Sequence, residues 1–150
     1  MEKVKRDLVA LISDELNKRL DDVALAYNDA LESRNSDDKS SAGDKYETGR
    51  EMAQQEMNNL ALRMNEIKIM ISELKRLPVS KAYTNVDVGS LVQTDTGLYF
   101  IGIAMGKLVY KGGIVYAISS KSPLGHFLMG KTVGDEISLN NKVQKIISIQ

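Results

Sequence analysis

The side chains best suited to chemistry in this chain are acids. Asp37 and Asp38 sit together in a polar stretch, Ser33 to Gly43 (SRNSDDKSSAG), and Asp44 follows directly. Read alone, Asp37 and Asp38 are solvated loop acids, and Asp44 with Glu47 three residues on is a capping box for a following helix. Other chemistry is scarce. The chain has no cysteine, which removes disulfides, thiolate nucleophiles and cysteine-ligated metals. His126 is the single histidine, with no acid pair or cysteine near it in sequence, so a packing or surface role is expected rather than a metal site. Ser119, Ser120 and Ser122 lack a base for a nucleophilic triad. Gly112 and Gly113 read as a hairpin turn, and no phosphate-binding glycine motif occurs.

Long elements must position the acids. Ala53, Met57, Leu60, Met64, Ile67, Ile71 and Leu74 step by four and three, a heptad seam of about three heptads. Val4, Leu8, Leu11, Ile12, Leu16, Leu20, Val23, Tyr27, Ala30 and Leu31 form a looser stripe before them. Two apolar stripes on either side of a short connection most simply bury each other, which makes an antiparallel two-helix hairpin. Helices of about 30 residues are about 45 Å long. The aperiodic stretch from about 33 to 44 would be the tip. The hairpin is assigned to residues 1–77, because Pro78 ends a helix and restrains the residue before it.

After Pro78 the composition changes. Residues 1–77 carry 13 Lys and Arg against 16 Asp and Glu, whereas 78–150 carry 7 against 4 with nine of the eleven glycines. Short apolar runs alternate with turns. Strands are expected over 86–93, 98–104, 107–110, 114–119, 136–139 and 143–149, with turns at Thr94–Gly97 and Lys111–Gly113. Ser122 suits an N-cap and Pro123 a first helical position. Leu124, Phe127 and Leu128 are expected to face the sheet and Gly130 to end the helix. The fold class is therefore α+β, with five or six antiparallel strands and one short helix in 78–150.

Two segments carry a family likeness. The run Ser122 to Glu136 (SPLGHFLMGKTVGDE) resembles the C-terminal signature of the Gre transcript cleavage factors, and Lys45 to Glu51 (KYETGRE) resembles the start of their second hairpin helix. The order of parts also resembles theirs, and the likeness covers nearly the whole chain. It implies a GreA/GreB-like coiled-coil hairpin followed by an FKBP-like antiparallel β domain. It implies that this domain docks on RNA polymerase, with Ser122, Pro123, Leu124, Gly125 and Lys131 as partner-facing residues. It further implies that the hairpin enters the secondary channel, where tip acids hold a magnesium ion shared with the polymerase and promote cleavage of backtracked RNA by two-metal chemistry. In this chain those acids would be Asp37 and Asp38, as metal ligands, with Asp44 beside them. The family tip reads roughly Gly-Asp-x-x-Glu-Asn-Ala-Glu-Tyr. Aligned on Tyr46, its two acids fall on Lys39 and Ala42, or with one inserted residue on Asp38 and Ser41, so neither alignment keeps both.

The implied protein is an accessory factor rather than an enzyme, with no intrinsic cofactor, and it meets RNA or DNA only inside the elongation complex. A formal net charge of zero agrees with that. Lys107, Lys111, Lys121 and Lys131 make 78–150 basic, either as a scattered solvated face or as a patch. No signal peptide or membrane span is expected, so the cytoplasm is the expected location and a monomer the expected state. Two alternatives stay open: a polymerase-binding regulator that does not cut, and a coiled-coil interaction protein with no polymerase role. Prolyl isomerase activity is disfavoured by the absence of tryptophan and the two phenylalanines, Phe100 and Phe127.

Overall fold

The computed structural model describes the backbone of residues 2–40 and 44–150, and the side chains over 2–35 and 47–150. Two long helices come first, α1 over Glu2–Ser40 and α2 over Asp44–Lys75. Helix α1 runs past Ser33, where a loop was expected, because nothing between Ser33 and Ala42 breaks a helix. Serine, asparagine and aspartate each disfavour it by only about 0.5 kcal/mol, and the first glycine is Gly43. Asp37 and Asp38 are therefore positions of α1, and Asp44 is the first residue of α2. Among the described residues no helix is long and apolar enough to cross a membrane.

The chain divides into two compact units, residues 13–72 and residues 1–12 with 73–150, so the division does not fall at Pro78. The first unit is helical. Ala30, Met57 and Leu60 are its buried cluster, with Val23, Ala26, Tyr27 and Leu31 packed around them. Beyond that cluster Arg34 donates to Gln54 Oε1 at 2.7 Å. A later residue of α1 thus meets an earlier residue of α2, the order of an antiparallel pair. The heptad positions Ala53, Met57, Leu60 and Leu74 are buried, and Met64, Ile67 and Ile71 half-buried, as the periodicity predicts.

The second unit is built on a six-stranded sheet. Its strands are β1 (Leu91–Thr94), β2 (Leu98–Ile101), β3 (Gly106–Tyr110), β4 (Gly113–Ile118), β5 (Glu136–Leu139) and β6 (Lys142–Ile149), with α3 (Pro123–Leu128) between β4 and β5. The spatial order is β3-β4-β2-β1-β6-β5. The sheet is mixed, not wholly antiparallel, because β2 and β4 run parallel. After β2 the chain crosses to the edge, forms β3, and returns as β4 between β3 and β2. Lys111 and Gly112, at φ 48° and 78°, turn that return, the positive-φ pair of a two-residue hairpin loop. The strand expected from Val86 begins only at Leu91. Before it, Ser90 Oγ donates to Asp87 O at 2.6 Å and Val88 N to Asp87 Oδ1 at 2.7 Å. These local bonds offer the backbone a turn in place of a ladder.

Side chains alternate across the sheet. Val92, Tyr99, Ile101, Ile137 and Ile146 share one face with Val86 and Leu128, against which Ile118, Leu124 and Met129 pack. Leu91, Phe100, Leu108, Val115 and Ala117 are buried on the other. Leu124 and Leu128 of α3 face inward as expected, but Phe127 is 45% exposed. The third inward residue is Gly125, whose burial turns the inner face of this short helix away from position 127. At roughly 100° per residue, 124, 125 and 128 share one stripe and 127 falls outside it.

The start of α1 belongs to this unit. Ser80 Oγ donates to Glu2 Oε1 at 2.9 Å, and Glu2 also pairs with Arg6. Tyr110 donates its hydroxyl to Asp7 Oδ2 at 2.6 Å. That bond, ahead of desolvation and the Asp7 charge, raises Tyr110 above the ordinary tyrosine range. The neutral phenol is the form the fold favours. Its contribution is complete below a tyrosine's usual pKa of about 10 and is lost as pH rises through the raised value. A spectrophotometric titration of Asp7→Asn is expected to show one tyrosine ionising at lower pH than in the parent. Superposable curves would mean that the bond does not form in solution.

Candidate functional site

Two regions were marked by sequence. The first is the acid group. The side chains of Asp37, Asp38 and Asp44 lie outside the described residues, so the structure places only the backbone that carries them. Among the described residues no group of three or more His, Asp or Glu is arranged to hold a metal. His126 is exposed and sits edge-on to Phe127, with ring centroids 6.1 Å apart.

The second region is the segment around α3. Ser122 is the N-cap: its hydroxyl oxygen accepts from Gly125 N at 3.1 Å and donates to Ser119 O at 2.7 Å. Ser119 Oγ accepts from Lys121 N. Ser119 and Ser122 are thus committed to holding the turn. Pro123 takes the first helical position, where a missing N–H costs nothing. Gly125 lies so close to the preceding turn that an added Cβ would stand 2.0 Å from Ser119 O. Leu124 is half-buried on the core, and Lys131 is exposed just after the helix, its carbonyl accepting from Val86 N at 2.8 Å. Of the other lysines, Lys107 and Lys111 share the β3–β4 hairpin and Lys121 precedes α3, so Lys121 and Lys131 bracket the helix.

The short α3 does not cover the whole inner face. Beside it opens a groove of about 430 Å³ lined by Thr96, Tyr99, Tyr116, Ile118, Leu124, Lys142 and Gln144. Tyr99 and Tyr116 stack on neighbouring parallel strands with ring centroids 5.7 Å apart. Gln144 Oε1 accepts from Thr94 at 2.9 Å, Thr96 at 2.5 Å and Tyr99 at 3.1 Å, which fixes the groove floor. Lys142 is the sole charged residue among these walls, so the groove is apolar with a cationic edge. Both tyrosines fall in runs expected from sequence as strands, 98–104 and 114–119. Their meeting depends on the parallel β2–β4 pairing, which strand periodicity does not reveal. Gln144, in a strand of alternating pattern, carried the one available signal, a polar side chain on the inward register.

Comparison of the chain with known protein families, with curated proteins and with solved structures gives no match.

Proposed function

We propose that this protein is a Gre-like regulator that binds RNA polymerase at the secondary channel. The observation carrying the reading is the order and size of the parts. Paired helices of 39 and 32 residues, about 58 and 48 Å long, precede a mixed sheet with one short helix capped by the Ser122-Pro123 signature. In this reading the helix pair is a coiled coil and the sheet unit is FKBP-like. Ser122, Pro123, Leu124, Gly125 and Lys131 belong to the docking surface in this reading, and Leu124 lines a groove whose cationic edge suits an acidic partner. The helical pair enters the channel, so nucleic acid is met only within the elongation complex, and the protein works as a cytoplasmic monomer.

Cleavage of backtracked RNA is the second part of the proposal. A magnesium ion shared with the polymerase would supply the charge that steadies attacking and leaving oxygens. Asp37 and Asp38, with Asp44 nearby, bring the carboxylates on this side. The full chain, immobilised, is expected to capture core RNA polymerase, and failure to do so overturns the reading. Added to a stalled, backtracked complex it is expected to shorten the RNA 3′ end faster. Asp37→Asn combined with Asp38→Asn is expected to cut that rate at least about tenfold, or ~1.4 kcal/mol in barrier, while capture is unchanged. Capture without faster cleavage would leave a channel-binding regulator that does not cut. Sedimentation as a dimer without capture would favour the coiled-coil interaction protein.

A further inference from the structure

Gln144 is a polar side chain on the inward register of β6 and is 9% exposed. Its Oε1 is fully engaged by Thr94, Thr96 and Tyr99 at the groove floor. Its neighbours fix which way round the amide lies. Thr94 Oγ1 accepts from the backbone N–H of Thr96 at 3.2 Å and of Gly97 at 3.1 Å. Those two bonds fill the lone pairs of a hydroxyl. Thr94 therefore has no room to accept from an amide N–H, so the Gln144 atom facing it is the oxygen and Nε2 turns the other way. Among the described residues nothing accepts from Nε2. The one sealed side-chain atom without a partner among them is Arg34 Nε, so Nε2 of Gln144 opens to solvent. Gln144 lines the groove beside α3, which is where it opens. A nine-tenths buried amide thus presents two unpartnered N–H donors to an apolar groove, and such donors gain most from an acceptor that displaces water.

The other walls select the ligand. Tyr116, 38% exposed, presents the ring surface that Tyr99 leaves uncovered. Ile118 and Leu124 are aliphatic, Lys142 stands at the edge, and among the described residues no acid lines the groove. With its oxygen committed, Gln144 offers donors only. Bidentate reading of an adenine edge needs a donor and an acceptor from one amide, so a nucleobase is poorly matched. A lone carbonyl oxygen next to an apolar side chain is well matched, and an extended main chain presents that pair. We propose that the groove seats a short extended segment of a partner protein. One apolar side chain packs on Tyr116, Ile118 and Leu124, the adjoining main-chain carbonyl accepts from Gln144 Nε2, and a neighbouring acidic residue meets Lys142. Charge favours an acidic segment over a neutral one: residues 78–150 carry 7 Lys and Arg against 4 Asp and Glu, and Lys121 and Lys131 bracket α3. The proposal rests on the polymerase reading for the identity of the partner alone, whose docking segment it names by chemistry.

The test titrates the full chain by NMR with the peptide acetyl-Glu-Glu-Leu-Glu-Glu-amide. The comparators, at equal ionic strength, are the same peptide with glycine for leucine and uridine monophosphate. The leucine peptide is expected to shift the Gln144 side-chain amide protons and the Ile118 and Leu124 methyl signals saturably, and the glycine peptide to leave them in place. Shifts confined elsewhere, or equal shifts with both peptides, overturn the proposal. Stronger shifts of the same signals with uridine monophosphate overturn the peptide assignment. Gln144→Glu keeps an oxygen for Thr94, Thr96 and Tyr99 but replaces the donor with a second oxygen, so it is expected to weaken peptide binding at least about tenfold. Lys142→Gln changes only an exposed side chain and is expected to weaken it about threefold. Unchanged affinity in both variants sinks the assigned contacts. Capture of core polymerase is measured in parallel. Undiminished capture by Gln144→Glu would overturn the groove as the docking site while the polymerase reading stands. Peptide binding at the groove without capture by the parent would overturn the polymerase reading while the groove proposal stands.

Discussion

Gly125→Ala is expected to lower the stability of the sheet unit by about 3 kcal/mol, in the upper range for overpacking. Alanine is the better helix former by about 1 kcal/mol, and Gly125 lies inside α3, so propensity alone predicts stabilisation. The contact decides otherwise. The new methyl would meet Ser119 O at 2.0 Å and Ser122 Oγ at 2.9 Å. The first is a backbone carbonyl, which cannot rotate aside as a flexible side chain would. It is also held in place by bonds from Ser122 N and Ser122 Oγ. Relief therefore requires α3 to lift away from the β4–α3 turn, which pulls Leu124 and Leu128 from the core shared with Tyr99, Ile101 and Ile146. Gly130→Ala is the internal comparison. It adds the same methyl where nothing lies within 4 Å, at φ +80°, so only the left-handed backbone strain of about 1 kcal/mol applies. Urea unfolding followed by near-ultraviolet tyrosine signals separates the two. Equal losses would mean that α3 does not press on the turn as described. The same comparison bears on the Ser122–Gly125 signature: each of Ser122, Pro123 and Gly125 has a local structural reason for its identity, apart from any partner.

How much of this was legible beforehand depended on whether a feature is local. The α2 seam could be read because burial follows a period of three and four residues, and nothing distant changes that period. The Ser122 cap, the Lys111 turn and the strand at Glu136–Leu139 were legible for the same reason: the side chain or φ angle that makes each is supplied within a few residues. The end of α1 was misread because a polar, aperiodic stretch is weak evidence for a loop where it holds no proline and no glycine before Gly43. The parallel β2–β4 pair could not be read because the hairpin that inserts β4 is as compatible with placing β3 beside β2. The tyrosine groove inherits that ambiguity. The burial of Lys5 on α1, which is 2% exposed, was hidden differently. A charged residue flanking Val4 looks like the solvated face of an amphipathic helix, and it is buried here because residues 1–12 belong to the compact unit of the sheet. For the acid group, the sequence supplies the residue types and the backbone supplies their positions along α1 and α2.

The second large effect concerns the helical unit. Leu60→Asp is expected to cost about 4 kcal/mol, whereas Leu62→Asp two residues away is expected to cost under about 1 kcal/mol. Both exchanges replace leucine with the same acid in the interior of α2, so their propensity penalties match, at roughly 0.5 kcal/mol. The surroundings differ. Leu60 is 8% exposed and shares a cluster with Ala30 and Met57, while Leu62 is 63% exposed. Removing a buried leucine side chain costs about 2–5 kcal/mol. A carboxylate in its place must also shed water or drive the helices apart. The loss is expected in the helical signal of far-ultraviolet circular dichroism. Four of the six tyrosines, Tyr83, Tyr99, Tyr110 and Tyr116, belong to the sheet unit, so read with Tyr27→Phe as background the near-ultraviolet tyrosine signal is expected to keep its midpoint. If the two substitutions cost the same, α1 and α2 are not sealed along the Ala53–Leu74 seam in solution. In the proposed polymerase reading, function depends on the same pair. A paired hairpin is what the polymerase reading needs in the channel, so Leu60→Asp is expected to abolish faster cleavage of backtracked RNA where Leu62→Asp preserves it. Loss of cleavage in both, with the fold intact in Leu62→Asp, would mean that the exposed face of α2 at Leu62 itself meets the polymerase.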